Sequence, residues 1–503
     1  MFVVVSGEVE VVRPGDTEQV VAVFRAGQFT GEMNVLSGRP ALGRVSATET
    51  GEVAEVRREE LLTLVQTDVE LSEIIMRAFI LRRLELVAQA VGDVVLIGSA
   101  HSAGTLRAKE FLTRNGHPHA YVDLDRDVEV QALLDRFHVT QADVPVLICR
   151  GSAVLRNPTN RQIAECLGFN AAIDESHVHD VVVVGAGPAG LAAAVYGASE
   201  GLEVLVLEST APGGQAGSSS RIENYLGFPT GISGQELAAR AFTQAEKFGA
   251  HVAIAQRATR LRCKSRPYMV EIDNGEEAPA RTIVIATGAQ YRRLSVEDAG
   301  RFDGAGVYYG ATPIEAQLCR DEEVVVVGGG NAAGQAAVFL AQWAKRVHML
   351  VRSATLSETM SRYLISRIEE SPQIELHTRT EVVGLEGDRL LERVRWREHP
   401  AGEVETCDVA HLFVMAGAKP SIEWLAGCVA LDAKGFIKTG PDLTKEDLTT
   451  AGWPLARPPH LLETTLPGVF AVGDVRSGNM KRVASAVGEG STAIAFVHRV
   501  LGE

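Results

Sequence analysis

Two stretches of this chain read strand, glycine-rich turn, helix, strand, and no other feature constrains its fold as tightly. In the first, the apolar residues 181–184 run without a polar interruption, as strands buried on both faces of a parallel sheet do. They lead directly into Gly185-Ala186-Gly187-Pro188-Ala189-Gly190 and then an Ala- and Leu-rich helical segment. In such a turn Gly185 permits the tight reversal, Gly187 lets the backbone approach a pyrophosphate, and Gly190 lets helix and strand pack closely. The helix start adds free N–H groups and a positive dipole end, both suited to phosphate. The next strand, 204–207, ends in Glu208, where an acid is placed to meet ribose hydroxyls. A lone glycine motif is weak evidence; strand, turn, helix, strand and acid in this order make nucleotide binding the expectation.

The pattern recurs. Residues 324–327 lead into Gly328-Gly329-Gly330-Asn331-Ala332-Ala333, with Ala333 in place of the third glycine. The strand at 346–351 is followed by Arg352 instead of an acid. Arginine at that place accepts a 2′-phosphate, which an acid would repel. Two such units imply two nucleotides, one held as cofactor and one exchanged as substrate.

The 503-residue chain carries a formal net charge of −15. A nucleic-acid partner, which needs a basic footprint, is therefore not expected. No apolar run reaches the roughly 20 residues that span a bilayer, and residues 1–5 lack the basic start of a signal peptide. The expectation is a cytoplasmic protein with no membrane partner. The cysteines, Cys149, Cys166, Cys263, Cys319, Cys407 and Cys428, form no CxxC and no metal-like spacing, so each is expected as a buried free thiol and no metal site is expected.

Ahead of the glycine motifs the pattern changes twice. Residues 1–56 alternate as short strands, at 2–5, 7–12, 20–24 and 53–56, and residues 58–90 carry helical spacing. FVVVSGEVEVV and FTGEMNVLSGRPALGRVSA resemble the hairpin and phosphate cassette of a cyclic-nucleotide-binding domain, without counterparts of that family's first strands. Glu32 matches the ribose-binding acid. The cassette's phosphate-binding Arg is replaced by Ala41 after Pro40, leaving Arg39 or Arg44 as the nearby cations. Tight cyclic-nucleotide binding is not expected.

Residues 93–170 place a strand at 94–97, a helical segment, a strand at 120–123, a helix at 128–137 and then Val144-Pro145. This resembles a glutaredoxin or thioredoxin fold whose redox motif would fall on Ser102-Ala103-Gly104-Thr105. Without thiols there, this domain cannot perform dithiol exchange.

From residue 179 to the end the chain is similar to low-molecular-weight thioredoxin reductase. Gly213-Gly214-Gln215 and IENYLGFP at 222–229, containing Asn224, match its flavin-contacting loops. Ala286-Thr287-Gly288-Ala289 and FVMAGAKP at 413–420 match strands returning to the FAD domain. PGVFAVGDVR at 467–476 contains Gly473 and Asp474. The resemblance gives Asp474 the ribityl chain, and it aims the start of the next helix, at Arg482, Val483 and Ala484, at the isoalloxazine ring. It implies FAD and NADPH as cofactors, with NADH the alternative, and a homodimer. Residues 1–90 form a partial cyclic-nucleotide-binding-like β-roll and residues 91–172 a thioredoxin-like α/β domain, with a linker at 171–178. The rest is α/β: an FAD-binding Rossmann-like domain, 178–291 and 409–503, into which an NAD(P)H-binding Rossmann-like domain, 292–408, is inserted.

Three departures matter. Where the family has Cys-Ala-Thr-Cys, this chain has Tyr309-Gly310-Ala311-Thr312-Pro313, so Tyr309, Thr312 and Pro313 occupy the place of the thiols. Its His-Arg-Arg becomes Val351-Arg352-Ser353, with Arg362 further on. Residues 440–462 form an insertion. The expected function is electron transfer from NAD(P)H through FAD to an external acceptor, a small molecule or small redox protein. The alternatives are reduction of an external dithiol protein and a sensor that uses the flavoprotein as a switch.

Overall fold

The computed structural model describes residues 1–503 except 14–18, 32–33, 39–42, 89–93, 100–101, 125–142, 150–152, 389 and 401. The helix expected at 128–137, and Glu32, Arg39, Pro40 and Ala41 of the cassette, lie outside the described residues.

The first glycine unit forms a mixed sheet of seven strands. Its centre is parallel: His179–Val184 lies between Val204–Glu208 and Glu277–Ile285, and Val469–Ala471 closes onto Glu277–Ile285. Alternation along these strands builds two cores. Val181, Val183, Val204 and Val206 face the helices Pro188–Ser199 and Val483–Gly502, while Val182, Val184, Leu205 and Leu207 face the opposite layer with Trp424 and Ile437.

The second unit is a parallel five-stranded sheet in the order Val307–Tyr308, His411–Val414, Glu323–Val327, Arg346–Val351, Ile374–Thr378. His411–Val414 pairs in register with Glu323–Val327. The boundary expected at 408/409 therefore cuts this sheet, and the second unit extends through Val414. The chain returns to the first unit at Ala418–Pro420, which pairs with the outgoing Ala289–Tyr291. A three-stranded antiparallel sheet, Thr380–Glu386, Arg393–Glu398 and Val404–Asp408, covers the second unit's far face with Trp396.

The middle domain is a four-stranded sheet in the order Ala120–Asp123, Val94–Gly98, Val146–Cys149, Ala153–Arg156, with the Val144-Pro145 bond cis. Its Phe111, Leu112 and Ile163 share one continuous core with the first unit.

The amino-terminal strands form two small sheets. The helical region at 58–90 is two helices, Arg58–Thr67 and Val69–Ala88, broken at Asp68, whose extended backbone and side chain (Oδ1 accepting from the Leu71 N–H at 2.9 Å) start the second helix. Of the helically spaced apolar residues there, Ile75 is buried while Leu71, Ile74 and Leu81 are exposed.

Cys263 and Cys428 form a disulfide across 165 residues of sequence. This corrects the expectation of free thiols for these two, because spacing along the chain does not report proximity in the fold. Cys149 and Cys319 are buried free thiols, and Cys166 and Cys407 are partly exposed ones. No helix among the described residues is long and apolar enough to cross a membrane.

Candidate functional site

At the first turn, Gly185 holds φ +104°, and a β-carbon there would meet the Ala286 carbonyl oxygen at 2.4 Å. A β-carbon at Gly190 would lie 1.8 Å from the Gly185 oxygen, so only glycine lets the helix reach the strand. Gly187 differs: the nearest atom to a β-carbon there is Gly214 Cα at 3.9 Å, which leaves one side of the turn open. Gly187 caps the helix Pro188–Ser199 with no side-chain hydrogen bond, and Pro188 and Ala189 begin it. The helices Asn160–Leu167, Gly234–Lys247, Pro313–Leu318 and Lys445–Ala451, by contrast, are closed by Thr159, Ser233, Thr312 and Thr444. A helix start left with free N–H groups beside an open glycine edge is suited to an anionic ligand.

Glu208 is buried at the end of its strand. Its carboxylate accepts from the Ala186 N–H at 2.7 Å and the Thr210 N–H at 2.8 Å, tying strand end to glycine turn. Gly213 and Gly214, both at positive φ, continue this rim. The Gln215 amide donates to the Ala289 carbonyl, and Asn224 sits exposed in the following loop. On the facing loop the Thr287 hydroxyl donates to the Ser421 carbonyl at 2.7 Å, Ala286 is buried, and Gly288 takes φ +64°.

Asp474 follows Val469–Ala471 in a short 3-10 turn. Burial pushes its carboxyl group above the usual range, with Glu489 adding to the effect and Lys481 opposing it. It is partly buried and has no hydrogen-bond partner among the described residues, so its carboxyl group is open to a ligand. That fits a ligand hydroxyl. Glu489, which sequence reasoning missed, fixes this turn by accepting from the Gly473 N–H at 2.7 Å and from Arg476 at 2.6 Å. A lone acid inside an amphipathic helix carries no signal that could have found it. The helix Val483–Gly502 starts at Arg482 without a side-chain cap, and Arg482 and Ala484 are exposed.

The second turn repeats the first. Gly328 holds φ +142°, and a β-carbon at Gly330 meets nothing within 4 Å. Gly330 starts the helix Asn331–Leu340 without a side-chain cap. Asn331 accepts from the Ser361 N–H at 2.7 Å, Ala332 follows it, and Ala333 packs fully buried against the turn. Arg352, just beyond Arg346–Val351, is exposed and has no ion-pair partner among the described residues.

The segment Tyr309–Pro313 ends in a helix cap. Thr312 accepts from the Ile314 N–H at 3.2 Å, its own N–H donates to Glu315 at 2.9 Å, and Pro313 opens the helix. The Tyr309 hydroxyl donates to Asp303 at 3.2 Å, and burial pushes its pKa up to about 12. Cys319 is buried, its thiol donates to the Glu315 carbonyl at 3.4 Å, and burial pushes it up to about 12. A thiol held neutral is a poor nucleophile.

The middle domain lies across both units. Leu106 packs on the core of the second, and Arg114 donates to the Gly214 carbonyl at 2.8 Å in the first. Both residues belong to the helix Ala103–Arg114.

Residues 179–490 match the family model of the pyridine nucleotide-disulphide oxidoreductases. The chain belongs to that family. Thioredoxin reductase of Mycolicibacterium smegmatis is 34% identical over 327 residues, 65% of this chain and 97% of that protein. NADPH-dependent thioredoxin reductase 3 of Arabidopsis thaliana is 29% identical over 70% of this chain and 65% of its own length. The crystal structure of Lactococcus lactis thioredoxin reductase matches with a TM-score of 0.58 at 27% identity, covering 64% of this chain and 99% of that one. Residues 1–68 match the cyclic nucleotide-binding domain family. This pyridine nucleotide-disulphide oxidoreductase is thus a flavin oxidoreductase of thioredoxin reductase-like build with a cyclic-nucleotide-binding domain ahead of it.

Proposed function

We propose that this protein moves electrons from NADPH through FAD to an external acceptor without an internal dithiol. The observation that carries the reading is the capped helix start at Thr312 and Pro313. Helix-capping groups stand where a redox thiol would have to be, and the one cysteine close to them in sequence, Cys319, is buried with a raised pKa.

FAD, when bound, supplies the acceptance of two electrons from a nicotinamide and their onward delivery. The chain's residues bind and orient it. The free backbone N–H groups at Gly187, Ala189, Gly190 and Gly214 are assigned to the pyrophosphate, Glu208 to ribose, and Asp474 to the ribityl chain, with Pro188 only setting the first turn of the helix. The uncapped start of Val483–Gly502 is a positive helix end, and it is assigned to the ring, where it would stabilise negative charge on the reduced form. Gly328, Gly330, Asn331 and Ala332 are assigned to the NADPH pyrophosphate and Arg352 to its 2′-phosphate, with NADH the weaker substrate.

The test is anaerobic. NADPH should bleach the yellow flavin, and turnover should follow with ferricyanide but not with a thioredoxin disulfide. Comparable turnover with the disulfide protein would favour the external-dithiol reading and sink this one. We further propose a cytoplasmic homodimer, which light scattering would check.

A further inference from the structure

On the face of the second sheet that Trp396 covers, at its edge strand, His348, Glu375 and His377 converge. His348 is the third residue of Arg346–Val351, and Glu375 and His377 lie two apart on the edge strand Ile374–Thr378, so all three face one side of the sheet. His348 Nδ1 is 3.2 Å from His377 Nε2, His377 Nε2 is 3.6 Å from Glu375 Oε1, and His348 Nδ1 is 3.8 Å from Glu375 Oε2. Ligand atoms about 2.0–2.1 Å from a tetrahedral zinc ion lie about 3.3 Å apart. The two imidazole nitrogens stand at that scale, and the Glu375 carboxylate, which approaches them through different oxygens, has one oxygen within 4.8 Å of both and needs a side-chain rotation to close on an ion.

A proton could join two imidazole nitrogens. It would leave the third corner unexplained, and the surroundings are built as metal ligands are supported. His348 turns its other nitrogen, Nε2, to Glu323 Oε2 at 3.3 Å. That hydrogen bond places the proton on Nε2 and leaves the Nδ1 lone pair facing His377, the carboxylate–histidine arrangement that orients metal-ligating imidazoles. Glu323 is held in turn by Lys345 at 3.1 Å. Arg346 binds Glu375 Oε2 at 2.8 Å, so Oε1 is the oxygen left to ligate. The Trp396 ring lies 5.6 Å from both imidazoles and walls the cluster on its inner side. Glu375 is half exposed, so an ion can enter from solvent.

We propose that His348, His377 and Glu375 form a binding site for one divalent transition-metal ion of the zinc class. Two imidazoles and one carboxylate suit zinc, cobalt or nickel and do not suit magnesium or calcium. Three protein ligands leave a fourth position for water. Nucleotides bind such sheets at the carboxyl ends of the strands, whereas this cluster lies on the face of the sheet at its edge strand, which Arg346–Val351 separates from the glycine-turn strand Glu323–Val327. The ion would tie the edge strand Ile374–Thr378 to the strand that carries Arg352.

The experiment is equilibrium dialysis of the flavin-loaded, tag-free full chain against micromolar zinc chloride, with bound zinc counted per chain. One zinc is expected for the wild type, at least tenfold weaker binding for His377→Gln, and about ten- to a hundredfold weaker binding for Glu323→Gln, all at unchanged flavin content. If His377→Gln does not fold, Glu375→Gln, on a half-exposed side chain, takes its place. Cobalt(II) should give a tetrahedral absorption spectrum in the wild type that either variant loses. A wild type that retains no zinc above the buffer level, or variants that bind it as the wild type does, would overturn the assignment.

Discussion

Ala103 and Gly304 meet where the middle domain lies on the second dinucleotide unit: a β-carbon at Gly304 would sit 2.9 Å from that of Ala103. The contact places the helix Ala103–Arg114 beside the turn that leads into Tyr309, whose hydroxyl reaches back to Asp303. Gly304 also holds φ +73°. Gly304→Val therefore combines backbone strain with a clash and should lift the helix from its seat. Hydrogen exchange would show faster exchange across residues 103–115 with flavin absorbance unchanged. Unaltered exchange would mean that the interface adjusts without loosening.

Gly187 and Gly190 should fail in different ways. Gly187→Val adds a side chain on the open side of the turn, where no protein atom lies closer than 3.9 Å to the β-carbon, so the apoprotein should keep its thermal midpoint while the purified protein loses its yellow colour. Gly190→Ala drives a methyl to 1.8 Å from the Gly185 oxygen and should lower the midpoint outright. Overpacking of this kind costs about 1–3 kcal/mol or more. A Gly187→Val protein that retains flavin would remove this turn from the cofactor site.

Arg352 decides nucleotide preference under the proposed function. The wild type should reduce its flavin faster with NADPH than with NADH, and Arg352→Glu should erase or reverse the order, because it replaces an unpaired cation with a charge that repels a 2′-phosphate. Stopped-flow rates measure this. Equal rates in the wild type would show that Arg352 does not read the phosphate.

Cys319→Ala should leave NADPH-to-ferricyanide turnover intact. The variant should also change alkaline stability in a defined direction. An exposed thiol titrates near pH ~8.5, whereas this one is pushed up to about 12 by burial. The unfolded chain therefore loses this proton first as pH rises, and the stability tied to it, full below pH ~8.5, declines toward pH 12. Denaturant melts between pH 8 and 11 should fall less steeply for Cys319→Ala than for the wild type. Lost turnover at unchanged flavin content would give Cys319 a part in the chemistry.

The amino-terminal domain should not bind cyclic AMP or cyclic GMP tightly. By its resemblance to the family's cassette the sequence has Ala41 in place of the phosphate-binding Arg, whose charge-assisted pair is the strongest contact in such a site. Calorimetry detecting micromolar binding would overturn this and point to Arg39 or Arg44.

How much could be read without a structure depended on the range of the interaction. The valines of His179–Val184 and the glycines at 185, 187 and 190 are local matters, since buried apolar runs and tight turns act over a few residues and leave their pattern in consecutive letters. The tertiary structure alone decided what distant segments do to each other. It paired His411–Val414 with Glu323–Val327 and so moved a domain boundary. It joined Cys263 to Cys428, set Glu489 under Gly473, and laid Ala103 on Gly304. It also brought His348 to His377, on neighbouring strands whose register no periodicity records. Each of these contacts depends on how sheets and helices pack, and packing is set by the summed burial of many side chains, which no single stretch of sequence carries.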